Sequence, residues 1–156
     1  MPLQHPAPTL KPVAQLTIHL APIEELGESN RGRRRIIPIT GGTVRGERIN
    51  GEILPVGADW QTVTADGTAW LDARYAIRTD DGALIEIHNV GLRHGPDAVM
   101  SQVAAGEAVD PAQYYMRTQA RLETGHPDYL WVNRCLFVGT GGRLHDQVSL
   151  SLYEVC

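Results

Sequence analysis

Three stretches of this chain carry side chains able to move a proton or hold an anion. Asp59-Trp60 follows Gly57 at a strand-to-loop junction. A carboxylate beside an indole is partly shielded from water, which raises its pKa and suits a general acid or base; the plainer reading is a turn aspartate bonded to nearby backbone. Asp72 and Arg74 share one face of a strand with Trp70 before them, and charge interleaved with aromatic surface fits a lined pocket as much as a wet exterior. By a period of two, Tyr115, Arg117, Gln119, Arg121 and Glu123 occupy one face of a third run. The plain reading is a solvated face. The sharper one puts Tyr115 and Arg117 at a pocket mouth, the guanidinium gripping a carboxylate or an enolate-like oxygen. The run after it sets Tyr129, Trp131, Asn133, Cys135 and Phe137 on one face, where a buried Asn133 needs a hydrogen-bond partner, either backbone or ligand.

Other chemistries lack a pattern. His5, His19, His88, His94, His126 and His145 fall in no HExxH or paired CxxC spacing, so no metal site is expected. Gly41-Gly42 with Gly46 is not a dinucleotide-binding loop opening a helix, and no phosphate loop or GxSxG elbow occurs. Cofactor-free chemistry, or simple binding, is what these absences leave.

The elements that must position these groups read as strands. Val13, Gln15, Thr17 and His19 alternate with Ala14, Leu16, Ile18 and Leu20. Residues 22–35 read as a long polar loop. Strand-like runs follow at 36–39, 48–54, 61–64, 69–78 and 83–90, stopped by Gly41-Gly42, Pro55, Asp66-Gly67, Asp80-Asp81-Gly82 and Gly91. Residues 97–105 suit a short helix with an acidic start, and a further turn of helix fits after Asp110-Pro111. Runs at 114–124, 129–138 and 147–155 complete the pattern, with Gly139-Thr140-Gly141-Gly142 as a tight turn. Regular short strands without alternating long helices predict an all-β protein: a single closed antiparallel β-barrel of nine or ten strands, with one short helical segment. Closure removes exposed sheet edges, and a barrel of about eight strands or more can enclose a small ligand. Pro2, Pro6, Pro8 and Pro12 make residues 1–12 an extended arm, leaving 13–156 as one barrel domain.

Bulk properties agree. A chain of 156 residues with 42% hydrophobic and 21% charged residues can bury a full core. A net charge of −4 gives no electrostatic case for nucleic acid. Cys135 and Cys156 are too few for a disulfide framework, and Cys135 reads as a buried thiol. No leader and no membrane-spanning run is visible, so a cytoplasmic setting is expected. Exposed strand surface leaves room for a homodimer.

Several separated motifs resemble one family. RRIIPITGGTVRGERINGEILPVGADW, LDARYAIRTDDGALIEIHNVG and YYMRTQARLETGHPDYLWVN are similar to the bacterial and fungal family called domain of unknown function 3237, also uncharacterised protein family 0311. The likeness covers roughly Pro12 to Val155 and implies a compact antiparallel β-barrel. Its recurring positions fall on Gly41, Gly42 and Gly46; on Asp59-Trp60; on Asp72, Arg74 and Tyr75; on Tyr115, Arg117 and Thr118; on Glu123-Thr124; and on Trp131 and Asn133. Leu122 stands where the family usually has an aromatic. The family carries no settled general activity, so the resemblance bears on fold more than on function.

Two functions fit these residues. The first is a cofactor-independent isomerase, lyase or cyclase acting on a small organic molecule held in the barrel. Asp59 would shuttle a proton, and Arg74 or Arg117 with Tyr115 would stabilise a developing oxyanion. Trp60, Tyr75, Glu123, Trp131 and Asn133 would hold the substrate. The second is a noncatalytic barrel that binds a small acid or aromatic through the same residues.

Overall fold

The computed structural model describes residues 1–156. It contains ten strands: β1 (Leu10–Leu20), β2 (Glu24–Ser29), β3 (Gly32–Arg45), β4 (Gly51–Ile53), β5 (Ala58–Val63), β6 (Ala69–Thr79), β7 (Leu84–His94), β8 (Tyr115–Glu123), β9 (Leu136–Arg143) and β10 (Gln147–Val155). One helix, α1 (Asp97–Ala104), and two 3₁₀ segments, Pro111–Gln113 and Pro127–Arg134, lie between β7 and β9. All strand pairs are antiparallel. The sheet runs β1-β10-β9-β8-β7-β6, continues through β4 and β5 to β3, and closes where β3 pairs back onto β1. Because β4 and β5 share one position between β6 and β3, the barrel proper is eight-stranded, and β2 hangs on β3 as an outer hairpin.

Period-two patterning decides which side chains enter. Along β8, Met116, Thr118, Ala120 and Leu122 are buried while Tyr115, Arg117, Gln119, Arg121 and Glu123 are exposed. Paired strands repeat this, with Leu16 opposite both Val44 of β3 and Leu150 of β10. The interior divides in two. Toward one end it is filled by Leu16, Val44, Ile49, Ile77, Ile85, Ile87, Leu122, Phe137 and Leu152, all at most 4% exposed. Val132 of the second 3₁₀ segment belongs to this plug, and the Arg48 guanidinium lies 3.7 Å over the Trp131 ring beside it. Toward the other end a smaller apolar cluster of Ala69, Leu71, Tyr114 and Met116 packs against Val103, which brings α1 across that mouth.

Several local expectations are corrected. Gly41-Gly42 and Gly91 do not end their strands: β3 runs through the first pair to Arg45, and β7 through Gly91 to His94. Residues 22–35 are not a loop: Glu24 through Ser29 pair with Gly32 through Ile36 as a hairpin, Arg33 joined to Glu25 in an ion pair. The run 129–138 is not one strand. Pro127 begins a 3₁₀ segment after His126, whose Nδ1 accepts from the Asp128 N–H at 3.2 Å, and regular pairing starts only at Leu136. Gly139-Thr140-Gly141-Gly142 is mid-strand rather than a turn, with Gly139 opposite Leu152. Cys135 ends the 3₁₀ segment, and its half-buried thiol points at Glu154 Oε1, 3.1 Å away. The helix after Gly95 and the aspartate-capped turn at Asp110, which accepts from the Ala112 N–H, stand where they were expected.

Candidate functional site

Beyond the apolar plug the barrel is hollow. A cavity of about 50 Å³ is lined from eight strands, with Asp59, Gln61, Tyr75, Asn89, Thr118, Arg93 and Arg143 set among Ile18, Ile37, Ile39, Leu71, Met116 and Leu150. It lies against a wider vestibule of about 340 Å³, and Leu20, Arg93 and Arg143 form the wall common to both. Arg35, the end of α1 and the turn at Leu144–Asp146 line the vestibule. The hollow has a local cause in β9, where Gly139 stands at an inward position. A Cβ there would come within 2.5 Å of Thr118 Oγ1 and 2.8 Å of Leu150 Cδ1.

Asp59 is delivered by the entry into β5. Gly57 has φ +91°, a left-handed conformation that favours glycine, and a Cβ on it would sit 2.0 Å from the Arg74 carbonyl oxygen. From that turn, Asp59 and Gln61 both point inward. Asp59 Oδ1 accepts from the Asp72 backbone N–H at 2.8 Å, and Oδ2 accepts from Gln61 Nε2 at 3.0 Å. Gln61 Oε1 in turn accepts from the Arg35 guanidinium, through Nε at 2.9 Å and through Nη2. The relay Arg35–Gln61–Asp59 fixes the carboxyl rotamer. Burial pushes the Asp59 pKa above the ordinary carboxylate range, although the two hydrogen bonds and the Arg93 charge oppose the rise.

Deeper in, three polar atoms are buried without a regular hydrogen-bond partner: Tyr75 Oη, Asn89 Oδ1 and Thr118 Oγ1. The Asn89 amide lies near enough to Tyr75 to favour its ionised form, yet burial dominates and pushes the phenol pKa up. Buried polar atoms are nearly always paired in folded proteins, so three orphans facing one hollow mark a place shaped for polar atoms from outside the chain.

The rim is cationic. Burial, followed by the charges of Arg143 and Arg35, lowers the Arg93 pKa to about 10. Burial likewise lowers Arg35 and Arg143. Arg143 Nε donates to the Leu144 carbonyl at 2.8 Å. The Arg93 side chain makes no hydrogen bond and no ion pair. No three His, Cys, Asp or Glu side chains come together in a metal-holding group.

Of the sequence candidates, Asp59 and Tyr75 line this cavity, while the other seven lie elsewhere. Arg74 faces outward, 64% exposed and 3.6 Å from Glu86. Its neighbour Asp72 is 2.7 Å from His88 Nε2 on the same outer face. Trp60 and Tyr115 are exposed. Tyr115 stacks on His94, and Arg117 lies over the Tyr115 ring and donates to the Met116 carbonyl. Glu123 is on the exposed side of β8. Trp131 packs under Arg48 at the plugged end, tilted against Phe137. Asn133 spends its amide on one residue, accepting from the Thr124 N–H at 2.9 Å and donating to the Thr124 carbonyl at 2.8 Å.

Gln61, Asn89, Arg93, Thr118 and Arg143 line the cavity as well, and the sequence carries a signal for three of them. Asn89 and Arg93 are in phase with the apolar Ile85 and Ile87, and Arg143 is in phase with Phe137. A polar residue that keeps the parity of core residues enters the barrel.

Comparison with known proteins places this architecture. The family model described as "Protein of unknown function (DUF3237)" matches residues 8–155. The chain belongs to this family. A UPF0311 protein of Rhodopseudomonas palustris is 45% identical over 150 residues, covering 95% of this chain and 98% of that protein. Another, from Clostridium acetobutylicum, is 48% identical over 124 residues, 80% of this chain and 78% of the relative. Among solved structures, a protein of unknown function from R. palustris superposes with a TM-score of 0.93 at 43% identity, over 97% of this chain and all of that one. A β-barrel-like protein from Acinetobacter baumannii gives 0.87 at 44% identity, over 98% and 99%. A structure described as an enzyme from Penicillium herquei gives 0.75 at 21% identity over the full length of both chains, a likeness of fold. No helix is long and apolar enough to cross a membrane.

Proposed function

We propose that this DUF3237 barrel is a cofactor-independent acid–base enzyme of the isomerase, lyase or cyclase type, acting on a small organic molecule in the barrel interior. One observation carries the reading: a recessed carboxyl, Asp59, held by two hydrogen bonds and raised in pKa, faces a hollow lined by three unpartnered polar atoms. A carboxyl of raised pKa exchanges protons closer to neutrality than an exposed one. Tyr75 Oη, Asn89 and Thr118 Oγ1 supply contacts for a carbonyl or hydroxyl whose charge changes as the proton moves. The apolar part of the lining lowers the local dielectric and so strengthens those contacts. A fold shared with a protein described as an enzyme is compatible with this reading and does not identify a reaction.

The test is turnover. Wild-type protein and Asp59→Asn are incubated with a panel of small enols, hydroxyketones and unsaturated acids, and products are followed by mass spectrometry and by deuterium exchange at acidic C–H positions. Turnover or exchange lost by at least about 100-fold in the folded Asn variant supports the proposal. Wild-type protein that binds panel members without changing or exchanging any of them refutes catalysis and leaves a noncatalytic binding barrel. Equal activity of the two proteins removes Asp59 from the chemistry.

A further inference from the structure

The vestibule carries more positive charge than the chain itself balances. Arg35, Arg93 and Arg143 all line it, against the single recessed carboxyl of Asp59, with Asp146 at the outer rim. Arg35 is committed to Gln61, and Arg143 is partly committed to backbone carbonyls. Arg93 is committed to nothing, although it forms the wall between vestibule and cavity. A guanidinium drawn out of water without a partner is unfavourable, and no acidic residue of this chain lies within ion-pair distance of it.

The other end of the space has the opposite need. Tyr75, Asn89 and Thr118 offer neutral donors and acceptors, and most of the remaining lining apart from Asp59, Gln61 and the arginines is apolar. On β7, Asn89 and Arg93 are four residues apart, roughly 13 Å between their Cα atoms at about 3.3 Å per residue. A hydrogen bond of about 2.9 Å at either end takes up about 6 Å of such a span, which leaves room for a single ring with a polar substituent at each end.

We infer that the ligand of this barrel is a monoanionic organic acid with an apolar, ring-sized body, its carboxylate held by Arg93 and Arg143 and its far hydroxyl or carbonyl held by Tyr75, Asn89 and Thr118. The inference rests on the cavity being a small-molecule site and does not require turnover. A carboxylate suits two guanidinium forks because each offers paired, coplanar N–H donors. A single negative charge is favoured over a phosphate dianion because Asp59 shares the space and repels the second charge. The acid also satisfies both deficits at once, the unpaired cation at the rim and the orphaned atoms at depth.

The experiment is calorimetric titration of the full chain with 4-hydroxybenzoate and 4-hydroxycinnamate, set against 4-hydroxybenzamide and methyl 4-hydroxybenzoate as uncharged counterparts. The acids are expected to bind at least about tenfold more tightly than the neutral compounds, with the preference shrinking as salt is raised. Arg93→Met and Arg143→Met should each weaken acid binding at least about tenfold while leaving amide binding within about twofold. Asp59→Asn should bind the acids as well as the wild type or better, because it removes the like charge. Equal affinity for acid and amide, no binding by either acid, or full acid affinity in both arginine variants overturns the inference. Acids that bind as described but are never transformed leave it standing and count against the catalytic reading alone.

Discussion

Arg93→Met is expected to make the protein more stable. The folded chain holds this guanidinium at a pKa of about 10, well below the ordinary arginine range, chiefly through burial and then through Arg143 and Arg35. At about 1.4 kcal/mol for each tenfold change in proton affinity, that fall corresponds to about 3 kcal/mol. Halving it for water that reaches the vestibule leaves about 1.5 kcal/mol. Methionine keeps most of the apolar stem and removes the charge, so this amount should be gained at neutral pH. For a chain of this size, Tm should rise by about 3–6 °C in differential scanning calorimetry. The pH dependence fixes the cause. Because the folded pKa lies below the unfolded one, the penalty is fully present below pH 10. As pH rises above about 10 toward the ordinary arginine range, the unfolded chain holds a proton that the folded chain has released, so wild-type stability gains on the variant and the gap in Tm narrows. A variant that melts below the wild type at pH 7, or a gap that does not change with pH, would show that Arg93 is compensated within the folded chain and would refute the charge-imbalance argument.

Asp59→Asn should leave Tm unchanged or slightly raised at neutral pH, since the raised folded pKa means that the ionised carboxylate is disfavoured there; the wild type should recover ground relative to the variant as pH falls through the carboxylate range, which melts between pH 3 and 7 will test. Thr118→Val removes an unpaired buried hydroxyl with little change of volume, so stability should stay within about 1 kcal/mol of wild type in urea titration, whereas a partnered hydroxyl would cost more. Gly57→Ala forces a Cβ to within 2.0 Å of the Arg74 carbonyl at a positive φ and should cost at least about 2 kcal/mol by the same titration; wild-type stability would mean that the β5 entry can relax.

The barrel was legible in the sequence because its strands are half-buried and antiparallel, so alternation and glycine turns mark them directly. What parity alone could not decide is which polar residues share the inner side. Tyr115, Arg117 and Glu123 form a long polar face, which drew attention, but that face is outward because Met116, Thr118, Ala120 and Leu122 are the core set. Asn89, Arg93 and Arg143 are isolated polar residues among apolar or glycine neighbours on their own side, a weaker signal that becomes decisive once the register is known. Asp59 and Tyr75 stood out, one by its aromatic neighbour and the other by family resemblance, and both line the hollow. The arginine-rich stretch at Arg31–Arg35 reads as loop because no apolar alternation marks it, yet ladder pairing to β2 and β5 makes Gly32 through Arg35 strand. The apolar run after Pro127 alternates like a strand, but its backbone is held in 3₁₀ turns while Asn133 secures its end to Thr124.

The seam of the barrel carries a kinetic consequence. β1 is flanked by β10 and β3, and the β1–β10 ladder joins Leu10 with Val155 and His19 with Gln147. Beyond it, Thr9 and Cys156 exchange backbone hydrogen bonds at 2.9 and 2.8 Å. Every hairpin from β5 to β9 can form locally, but this ladder spans nearly the whole chain and carries the largest loop-closure entropy. Until it forms, the facing edges of β1 and β10 are open to pairing with another chain. Adjacent ends also make the connectivity a matter of choice. Joining residues 9 and 156 and opening the chain at the exposed turn around Asp80–Gly82 would turn the β1–β10 ladder into a hairpin and make β6–β7 the ladder that spans the chain, moving the open edge to the other side of the barrel.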